Sequence, residues 1–295
     1  MNRTGRVALA TTTAARGLDE DMPLLEAALV DLGLATRQLD WHDATATLAD
    51  DDLVVVRSTW DYFARRDEFL AWAEQVAAAT ALHNPPPVLA WNSDKRYLAE
   101  LARAGVTIVP TRFFAPGDPV TLDPAEDRIV KPAVSAGSND TARYPASETE
   151  AAAAHVARLH AAGRVAMVQP YQHAVDTRGE TALLYFDGRF SHAIEKGAIF
   201  ASGPQMVGGL YAREEIRPRT PSPAERAAGE TVLAALAEAA PHLALPLLYA
   251  RVDLVPLADG TPGLLELELC EPSTFLAHAE GAAARFARAI AARMR

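Results

Sequence analysis

Two apolar runs near the C-terminus are each interrupted by charged residues, with Arg251 and Asp253 in the first run and Glu266 and Glu268 in the second. The Asp-Gly pair at 259–260 between them is typical of a hairpin turn. Side chains two residues apart share one face of a strand, so pairing would place three carboxylates and one guanidinium on one patch. Carboxylates that repel one another favour a cation, and a set of oxygen ligands favours Mg²⁺.

The same pattern is compatible with an exposed strand pair whose polar face is salt-bridged. These two runs alone do not distinguish the alternatives. Mg²⁺ usually retains water and joins one or two carboxylates to phosphate oxygens. The metal interpretation therefore points to nucleotide chemistry, and phosphate-binding groups should occur elsewhere in the chain.

Two lysines and a loop of small residues are candidates for binding phosphate. Lys95 falls in the first turn of a helix predicted to open at 91–97. A cation there opposes the helix dipole, and a bound anion would offset this unfavourable interaction. Lys131 ends a strand at 128–133, and the loop at 134–140 follows it. Hydroxyl and backbone N–H groups of this loop suit phosphate oxygens. The loop candidates are Ser135, Gly137 and Ser138. The chain has neither a P-loop motif nor GxGxxG, which excludes those two phosphate-binding sites.

A polar segment directly follows the third predicted strand, where ligands of open α/β sheets bind. The candidates for holding a small polar substrate are Arg57, Thr59, Asp61 and Tyr62. Alternatively, the aromatic residues there cover the sheet end and Arg57 pairs with Asp61. Lys196 ends a later strand and could meet a phosphate or a substrate carboxylate, or could be an exposed edge lysine.

The elements that must position these residues alternate between strands and helices. Strands are predicted at 6–12, 35–41, 52–57, 106–110, 128–133, 164–169, 180–186 and 190–196, besides the two acidic strands. Helices are predicted at 21–33, 65–79, 147–162, 222–240 and 275–295. The first three strands and first two helices suggest a small α/β domain that ends at a proline-rich turn. The glycine-containing stretch at 197–213 is expected to be an active-site loop.

Composition restricts the classes of function. The chain has 295 residues, enough for one large or two to three small domains, and a formal charge of −10 that argues against general binding of nucleic acid or anionic membranes. No apolar run reaches transmembrane length. The single cysteine excludes an internal disulfide and a cysteine metal cluster. A soluble, cytoplasmic protein is expected.

The order of these features resembles the ATP-grasp superfamily: a lysine, a strand lysine with a small-residue loop, a Gln-Pro-Tyr hinge, an Arg-x-Asp strand and a Glu-x-Glu strand. The resemblance implies a mixed α/β and α+β fold with an N-terminal α/β (pre-ATP-grasp) domain and two subdomains that hold ATP. The implied ranges are 1–90 for the N-terminal domain, 91–170 for the small subdomain and 171–295 for the large subdomain.

The resemblance also implies a role for each position. Lys95 and Lys131 would bind phosphates under the loop, and Arg251 would stabilise the transferring phosphoryl group. The adenine hinge and the ribose acid would be Gln169, Tyr171, Gln172 and Asp176. The Mg²⁺ ligands would be Asp253, Glu266 and Glu268. Two departures from the family pattern are Gln169 in place of a glutamate, and Glu266-x-Glu268 in place of a Glu-x-Asn pair with one extra residue before Pro272. The second departure keeps Glu271 as an alternative second metal acid.

Further segments are similar to the cycloserine-biosynthesis ATP-grasp ligases, which are cyclo-ligases acting on O-ureido-D-serine. These segments are 57–62, 92–95, 130–132 and 191–193. The similarity implies a ligase that uses ATP and Mg²⁺ to activate a carboxylate as an acyl phosphate for attack by a nitrogen of the same molecule. Arg57 and Lys196 would hold the amino-acid-like substrate. The alternatives are a ligase that joins two separate molecules and a non-catalytic nucleotide-binding module. A homodimer is a further expectation.

Overall fold

The structure is a computed structural model of the chain, and it describes residues 5–43, 45–197, 206–207 and 215–294. Three β-sheets and the helices packed on them form its core. Most of the loop predicted at 197–213 lies outside the described residues. Within those ranges, no helix combines the length and the apolar character needed to cross a bilayer.

The first sheet is parallel and lies at the N-terminus. Its strands are β1 (Arg6–Thr11), β2 (Ala35–Asp40), β3 (Leu53–Ser58) and β4 (Ala81–His83), in the order β2-β1-β3-β4. Helices α1 (Asp21–Asp31) and α2 (Arg66–Ala79) cover opposite faces. All residues of β3 are buried, because a parallel sheet is covered on both faces. The predicted β-α-β-β-α order of this unit is confirmed.

The second sheet is antiparallel and carries one wall of the cavity described below. Its strands are β5 (Arg112–Phe114), β6 (Arg128–Pro132), β7 (Thr141–Tyr144), β8 (Ala166–Pro170) and β11 (Met206–Val207), in the order β11-β7-β6-β8-β5. Helix α5 (Thr149–Ala161) packs on it. Val156 and Leu159 of this helix share a core with Val130 and Val168, because they repeat at helical spacing on one face.

The third sheet is antiparallel and contains the two acidic strands. Its strands are β9 (Glu180–Phe186), β10 (Arg189–Lys196), β12 (Ile216–Arg219), β13 (Tyr249–Pro256) and β14 (Pro262–Glu268), in the order β12-β10-β9-β13-β14. Gly260 at the β13–β14 turn has a φ of +84°, which only glycine adopts readily. Arg251 lies opposite Glu268, and Asp253 lies opposite Glu266. The predicted hairpin and its shared charged face are confirmed.

The remaining helices join these sheets into one structure. They are α3 (Pro86–Asn92), α4 (Tyr97–Arg103), α6 (Val175–Arg178), α7 (Pro223–Ala239) and α8 (Ala282–Ala291). Helix α7 begins with a capping box in which Ser222 and Glu225 bond reciprocally to each other's backbone. Helix α8 packs against α1 of the N-terminal unit, although it lies in the predicted range 171–295. The division into three ranges stays a prediction.

Three predicted elements are wrong in detail. Lys95 is not in a first helical turn: α3 starts early at Pro86, a residue suited to helix starts, and Lys95 lies in the turn between α3 and α4. The strand predicted at 106–110 is reduced to a single bridge between Ile108 and Leu264. The last helix begins only at Ala282, because the backbone before it makes two left-handed turns, at Phe275 and Gly281.

The N-terminal unit holds the segment 271–276, which follows strand β14. The buried Asp21 carboxylate accepts hydrogen bonds from the N–H groups of Thr274 (2.6 Å), Phe275 (2.9 Å) and Leu276 (2.6 Å), and from the Thr274 hydroxyl (2.9 Å). The fully buried Arg57 guanidinium donates to the Pro272 carbonyl at 3.2 Å. Segment 271–276 is therefore positioned by side chains more than 200 residues away in the sequence.

We expect Asp21→Asn to destabilise the protein by about 2–4 kcal/mol, because the amide cannot replace a buried carboxylate that accepts four hydrogen bonds. The matched control is Asp31→Asn, at the exposed end of the same helix, with an expected change within about 0.5 kcal/mol. Urea unfolding measures both free energies. Equal stabilities of the two variants would contradict the prediction.

Candidate active site

A cavity lies where the second and third sheets meet segment 271–276. The space between its walls, with the open solvent at its mouth included, is about 1540 Å³. The predicted site residues that line it are Tyr62, Lys95, Lys131, Ser135, Gly137, Ser138, Gln169, Tyr171, Gln172, Lys196, Arg251, Asp253, Glu266, Glu268 and Glu271.

The carboxylates of the acidic hairpin lie against cations of the cavity. Asp253 Oδ2 is 2.9 Å from both Arg251 Nη2 and Lys196 Nζ. Arg251 also donates to Glu268. Burial opposes ionisation of Asp253, but these two cations outweigh it and hold the pKa of Asp253 well below its usual range. Glu268 is less well compensated, and burial raises the pKa of its carboxyl to about 7.

The two predicted phosphate lysines share one acid. Lys95 Nζ is 3.0 Å from Glu266 Oε1, and Lys131 Nζ is 3.9 Å from Glu266 Oε2. Burial disfavours the charged form of Lys95, but the surrounding carboxylates outweigh it and raise its pKa. For Lys131 burial dominates and lowers the pKa. Both lysines thus sit at a desolvated point of the cavity where an anion is stabilised.

Lys95, Lys131 and Lys196 are the only three lysines of the 295-residue sequence, and all three line this cavity. Each of the three is less than a tenth exposed. Arginine supplies the remaining 25 of the 28 lysine and arginine side chains. An ammonium is a compact charge on a flexible stem, which suits contact with several phosphate oxygens in turn.

The small-residue loop at 134–140 is fixed in position by hydrogen bonds to the side chain of its last residue, Asp140. Asp140 has a φ of 55°, and its carboxylate accepts from Arg158 at 2.6 and 3.1 Å and from Arg164 at 3.0 Å. Arg164 also donates to the Val134 carbonyl at 3.2 Å, at the start of the loop. The loop ends are therefore tied together, while the residues between them face the cavity.

The hinge also lies at the cavity. The Gln169 amide donates to the Thr111 hydroxyl at 2.9 Å. The Tyr171 N–H donates to the Asp127 carbonyl at 2.8 Å. The Tyr171 N–H is thus already bonded within the protein. Of Tyr171 and Gln172 in the predicted adenine hinge, this arrangement favours Gln172 for an N–H contact with the base.

Asp176, the predicted ribose acid, is not among the lining residues found in the described ranges. It accepts a hydrogen bond from the Tyr171 hydroxyl and lies 3.7 Å from Arg143 Nη1. Its neighbour Val175 does line the cavity. The contact of Asp176 with a ribose stays a prediction.

The four predicted substrate residues divide into two groups. Tyr62 lines the cavity, together with Trp60, which was not predicted. Arg57, Thr59 and Asp61 are not among the lining residues in the described part of the chain. Strand β3 ends at Ser58 and the chain turns into a short 3-10 helix at Tyr62–Arg65, while the Arg57 guanidinium is bonded to the Pro272 carbonyl. Asp61 accepts hydrogen bonds from Thr12, Trp41 and His42. The alternative prediction, an ion pair of Arg57 with Asp61, is also wrong. Arg57 Nη2 instead lies 3.6 Å from Asp21 Oδ2.

Several lining residues were missed by the sequence reasoning. Glu180 pairs with Lys196, and the predicted β9–β10 hairpin already contained this signal, because its register sets the two residues opposite each other. Ser273 and Phe275 reach the cavity through the turns of segment 271–276, which have no periodic signature. The apolar wall comes from residues that are distant in sequence: Val109, Ile129, Val175, Val255 and Leu265.

The acidic hairpin fits a magnesium ion in its chemistry. Asp253 and Glu266 are directly opposite each other on the strands, and Glu268 shares their face, so the donors are carboxylate oxygens of the kind that Mg²⁺ takes. The described residues hold no preformed cluster of three metal-ligating side chains, since the acids are turned towards lysine and arginine. Transfer of Lys95 from Glu266 to a phosphate would free the Glu266 oxygens for the metal.

The cavity combines clustered cations, a carboxylate face and a loop of small residues next to an apolar wall. Phosphoryl transfer needs this combination, because positioning and charge neutralisation are its main requirements. The apolar wall and the hinge suit a flat aromatic base, and the cations suit its phosphates.

Behind the cavity wall, His192 of strand β10 supports segment 271–276. Its Nε2 donates to the Thr274 carbonyl at 2.9 Å, and its Nδ1 accepts from the Ser191 hydroxyl at 2.9 Å. Arg285 donates to the same hydroxyl at 2.9 Å. The imidazole is only 6% exposed, and burial lowers its pKa to about 4. His192 is therefore a neutral structural residue.

Comparison with known proteins identifies relatives of the chain. A family model described as D-cycloserine synthetase DcsG, N-terminal domain, matches residues 7–84. The cycloserine biosynthesis protein DcsG of Streptomyces lavendulae is 41% identical to the chain, and the match covers 99% of each. The family model covers the N-terminal unit, and the match to the Streptomyces protein also covers the residues that line the cavity.

Solved structures show the same architecture. The crystal structure of D-cycloserine synthetase DcsG matches with a TM-score of 0.88 at 41% identity, over 99% of this chain and 100% of that one. The D-alanine–D-alanine ligase from Bacillus anthracis complexed with ATP matches with a TM-score of 0.65 at 12% identity, over 98% and 95% of the two chains. The ATP-grasp ligase PsnB, complexed with minimal precursor, matches with a TM-score of 0.62 at 19% identity, over 98% and 99% of the two chains. The predicted ATP-grasp fold is confirmed.

We expect the stability of the protein to fall between about pH 6.5 and pH 4 through His192. The unfolded chain binds a proton at an ordinary histidine pKa of about 6.5, whereas the folded chain resists it down to about 4, so protonation favours unfolding. This difference corresponds to a loss of up to about 3 kcal/mol. Urea unfolding at several pH values measures it.

In His192→Gln this part of the pH dependence should be absent, although the variant is less stable at pH 7. The exposed His242→Gln is the matched control and should retain the slope of the unmodified protein. An unchanged slope in His192→Gln would show that other groups cause it.

Proposed function

The chain belongs to the DcsG family of ATP-grasp ligases, and we propose that it forms D-cycloserine from O-ureido-D-serine. ATP and water are converted to ADP and phosphate, and the carbamoyl part of the ureido group leaves as CO2 and NH3. The chain is an ATP-dependent ligase that uses Mg²⁺. The observation that carries the proposal is the convergence of all three lysines, Arg251 and the acidic hairpin on one cavity. Its partner is a small amino-acid-like molecule. A homodimer stays a prediction.

Bound MgATP supplies the phosphoryl group that makes the substrate carboxylate into an acyl phosphate, from which phosphate can leave when nitrogen attacks the acyl carbon. The protein must hold the polyanion and the carboxylate together, although both are negative. Lys95 and Lys131 neutralise phosphate oxygens beneath the loop at 134–140. Arg251 lies on strand β13, paired with the acidic strand β14, where it can stabilise charge on the transferring group.

The acidic hairpin would hold Mg²⁺ through Asp253, Glu266 and Glu268. Arg251 and Lys196 share Asp253, so this acid is fixed in place before any ligand is bound. The loop at 134–140 lies over the cavity with its ends tied by Asp140 and Arg164. Its N–H groups and hydroxyls can close over phosphates and exclude water from the acyl phosphate.

In a cyclo-ligase the nitrogen nucleophile and the carboxylate are parts of one molecule. No second substrate has to enter, and the protein has only to fold the bound molecule on itself. Holding reacting groups within one site removes the entropic cost of bringing two molecules together. The wall of Trp60, Tyr62 and segment 271–276 is suited to this role, since it lines the same cavity as the acidic hairpin.

The direct test is ADP release with ATP, Mg²⁺ and O-ureido-D-serine as the sole co-substrate. We expect strong stimulation over ATP alone, with D-cycloserine identified by mass spectrometry. Stimulation that appears only after a second amine is added, and consumes it, would indicate a ligase that joins two molecules. ATP binding without stimulation by any amino-acid derivative would contradict the ligase assignment.

We expect Lys131→Ala to lower the rate of ADP release by at least about 100-fold, because a cation at the transferring phosphate is lost from a desolvated site. The fold should persist, since Lys131 makes no close ion pair, with 3.9 Å to Glu266. The matched control Arg103→Ala removes one exposed positive charge outside the cavity and should leave the rate unchanged. Full activity of Lys131→Ala would overturn the phosphate assignment.

A further inference from the structure

One wall of the cavity has polar groups that the proposed chemistry has not used. It is formed by Trp60 and Tyr62, which follow strand β3, and by Glu271 at the start of segment 271–276. The Trp60 indole N–H donates to the main-chain carbonyl of Glu271 at 3.1 Å. The two parts of the wall are thus fixed to each other, and Glu271 is held beside the aromatic pair.

The Glu271 carboxylate differs from the other carboxylates of the cavity. Glu180, Asp253, Glu266 and Glu268 each have a lysine or arginine within ion-pair distance. In the ranges that the structure describes, no hydrogen bond or ion pair reaches the Glu271 carboxylate. The residue is nevertheless only 8% exposed. The exposed part of this side chain opens onto the cavity.

A buried carboxylate without a partner is unstable in its charged form. Burial accordingly raises the pKa of Glu271 far above its usual value. A cation that enters the cavity would provide the missing partner and favour the ionised form. Segment 271–276 is clamped by Asp21 and Arg57, so the carboxylate cannot readily swing out to solvent.

The hydroxyl of Tyr62 is a second uncommitted group on the same wall. The residue is 3% exposed, and its ring packs on Phe69 with 5.0 Å between centroids. Across the described part of the chain, no hydrogen bond to the Tyr62 hydroxyl is found. A phenol oxygen accepts from an N–H donor, and an aromatic ring favours a cation near its face. Both groups therefore suit one small, positively charged donor.

We propose that Glu271 and Tyr62 form a subsite that binds the α-ammonium group of the substrate. The proposal rests on the proposed function, in which the substrate is an amino acid whose carboxylate must face the phosphates. An α-amino acid carries its ammonium next to that carboxylate. Holding the ammonium at the Glu271 wall turns the carboxylate towards Lys95, which lies within electrostatic range of Glu271.

In this proposal Glu271 binds the substrate and is not the second metal acid, the alternative that the sequence left open. Glu266 and Glu268 share a strand face with Asp253 across the hairpin, whereas Glu271 lies beyond the end of β14 against the N-terminal unit. The cavity is then divided by function, with three acids for a divalent metal and one acid for an organic cation. Glu271 orients the substrate and selects for amino acids.

The test compares O-ureido-D-serine with 3-(ureidooxy)propanoate, which keeps both reacting ends and lacks the ammonium group. The unmodified enzyme should favour the amino acid by about 10- to 100-fold in kcat/KM, the effect of one charged hydrogen bond. Glu271→Gln should lose most of this preference by slowing the amino acid alone. Tyr62→Phe should reduce the preference about 3- to 10-fold.

Glu266→Gln serves as the matched metal variant. It should raise the Mg²⁺ concentration needed for half-maximal rate and slow both compounds equally. Glu271→Gln should leave the Mg²⁺ requirement and the KM for ATP unchanged, and its melting temperature should stay near that of the unmodified enzyme. A raised Mg²⁺ requirement in Glu271→Gln, or equal use of both compounds by the unmodified enzyme, would overturn the subsite.

Calorimetry separates this proposal from the proposed function. With a non-hydrolysable ATP analogue and Mg²⁺ bound, D-serine should bind more tightly than 3-hydroxypropanoate, and Glu271→Gln should remove the difference. This result would support the subsite even if O-ureido-D-serine released no ADP, an outcome that would overturn only the proposed reaction. Equal binding of the two compounds, or binding of neither, would overturn the ammonium subsite.

Discussion

The compensation of buried charge in one cavity is the constraint on which the rest of this structure depends. Isolated charges in a desolvated site are strongly unfavourable, and paired charges are tolerated only with good geometry. The pair of Lys95 and Glu266, 3.0 Å apart, shows how the protein meets this constraint. Under the proposed function the lysine would bind phosphate and the acid would bind magnesium. Bound MgATP would then replace this ion pair with two new ones.

The N-terminal unit contributes to the active site mainly by holding it in shape. Asp21 and Arg57 lie in the first sheet region, yet both bond to segment 271–276, which directly follows the metal strand. His192 supports the same segment from strand β10. The segment carries Glu271, Ser273 and Phe275 into the cavity. The nucleotide half and the N-terminal half of the molecule therefore share one wall.

The sequence was most informative where the chemistry depends on regular spacing. The acidic hairpin could be predicted with its register, because strand alternation and the Asp-Gly turn leave little freedom. Beyond strand β3 the chain turns into a short 3-10 helix, so strand alternation could not separate Tyr62 from Arg57, Thr59 and Asp61. The position of Lys95 could not be read in the same way, because a turn between two short helices has no periodic signal. The apolar wall and the clamp on segment 271–276 join residues from distant parts of the chain, which a single sequence does not reveal.

The placement of every lysine at the cavity has a consequence for the chemical reactivity of the molecule. Reagents directed at lysine would find three side chains in the sequence, and all three line the active site. Burial lowers the pKa of Lys131, whereas carboxylates raise that of Lys95, so Lys131 would hold more nucleophilic free amine at neutral pH than Lys95. The many surface cations are arginines, which such reagents leave intact. Covalent labelling of the lysine side chains would thus report on occupancy of the active site.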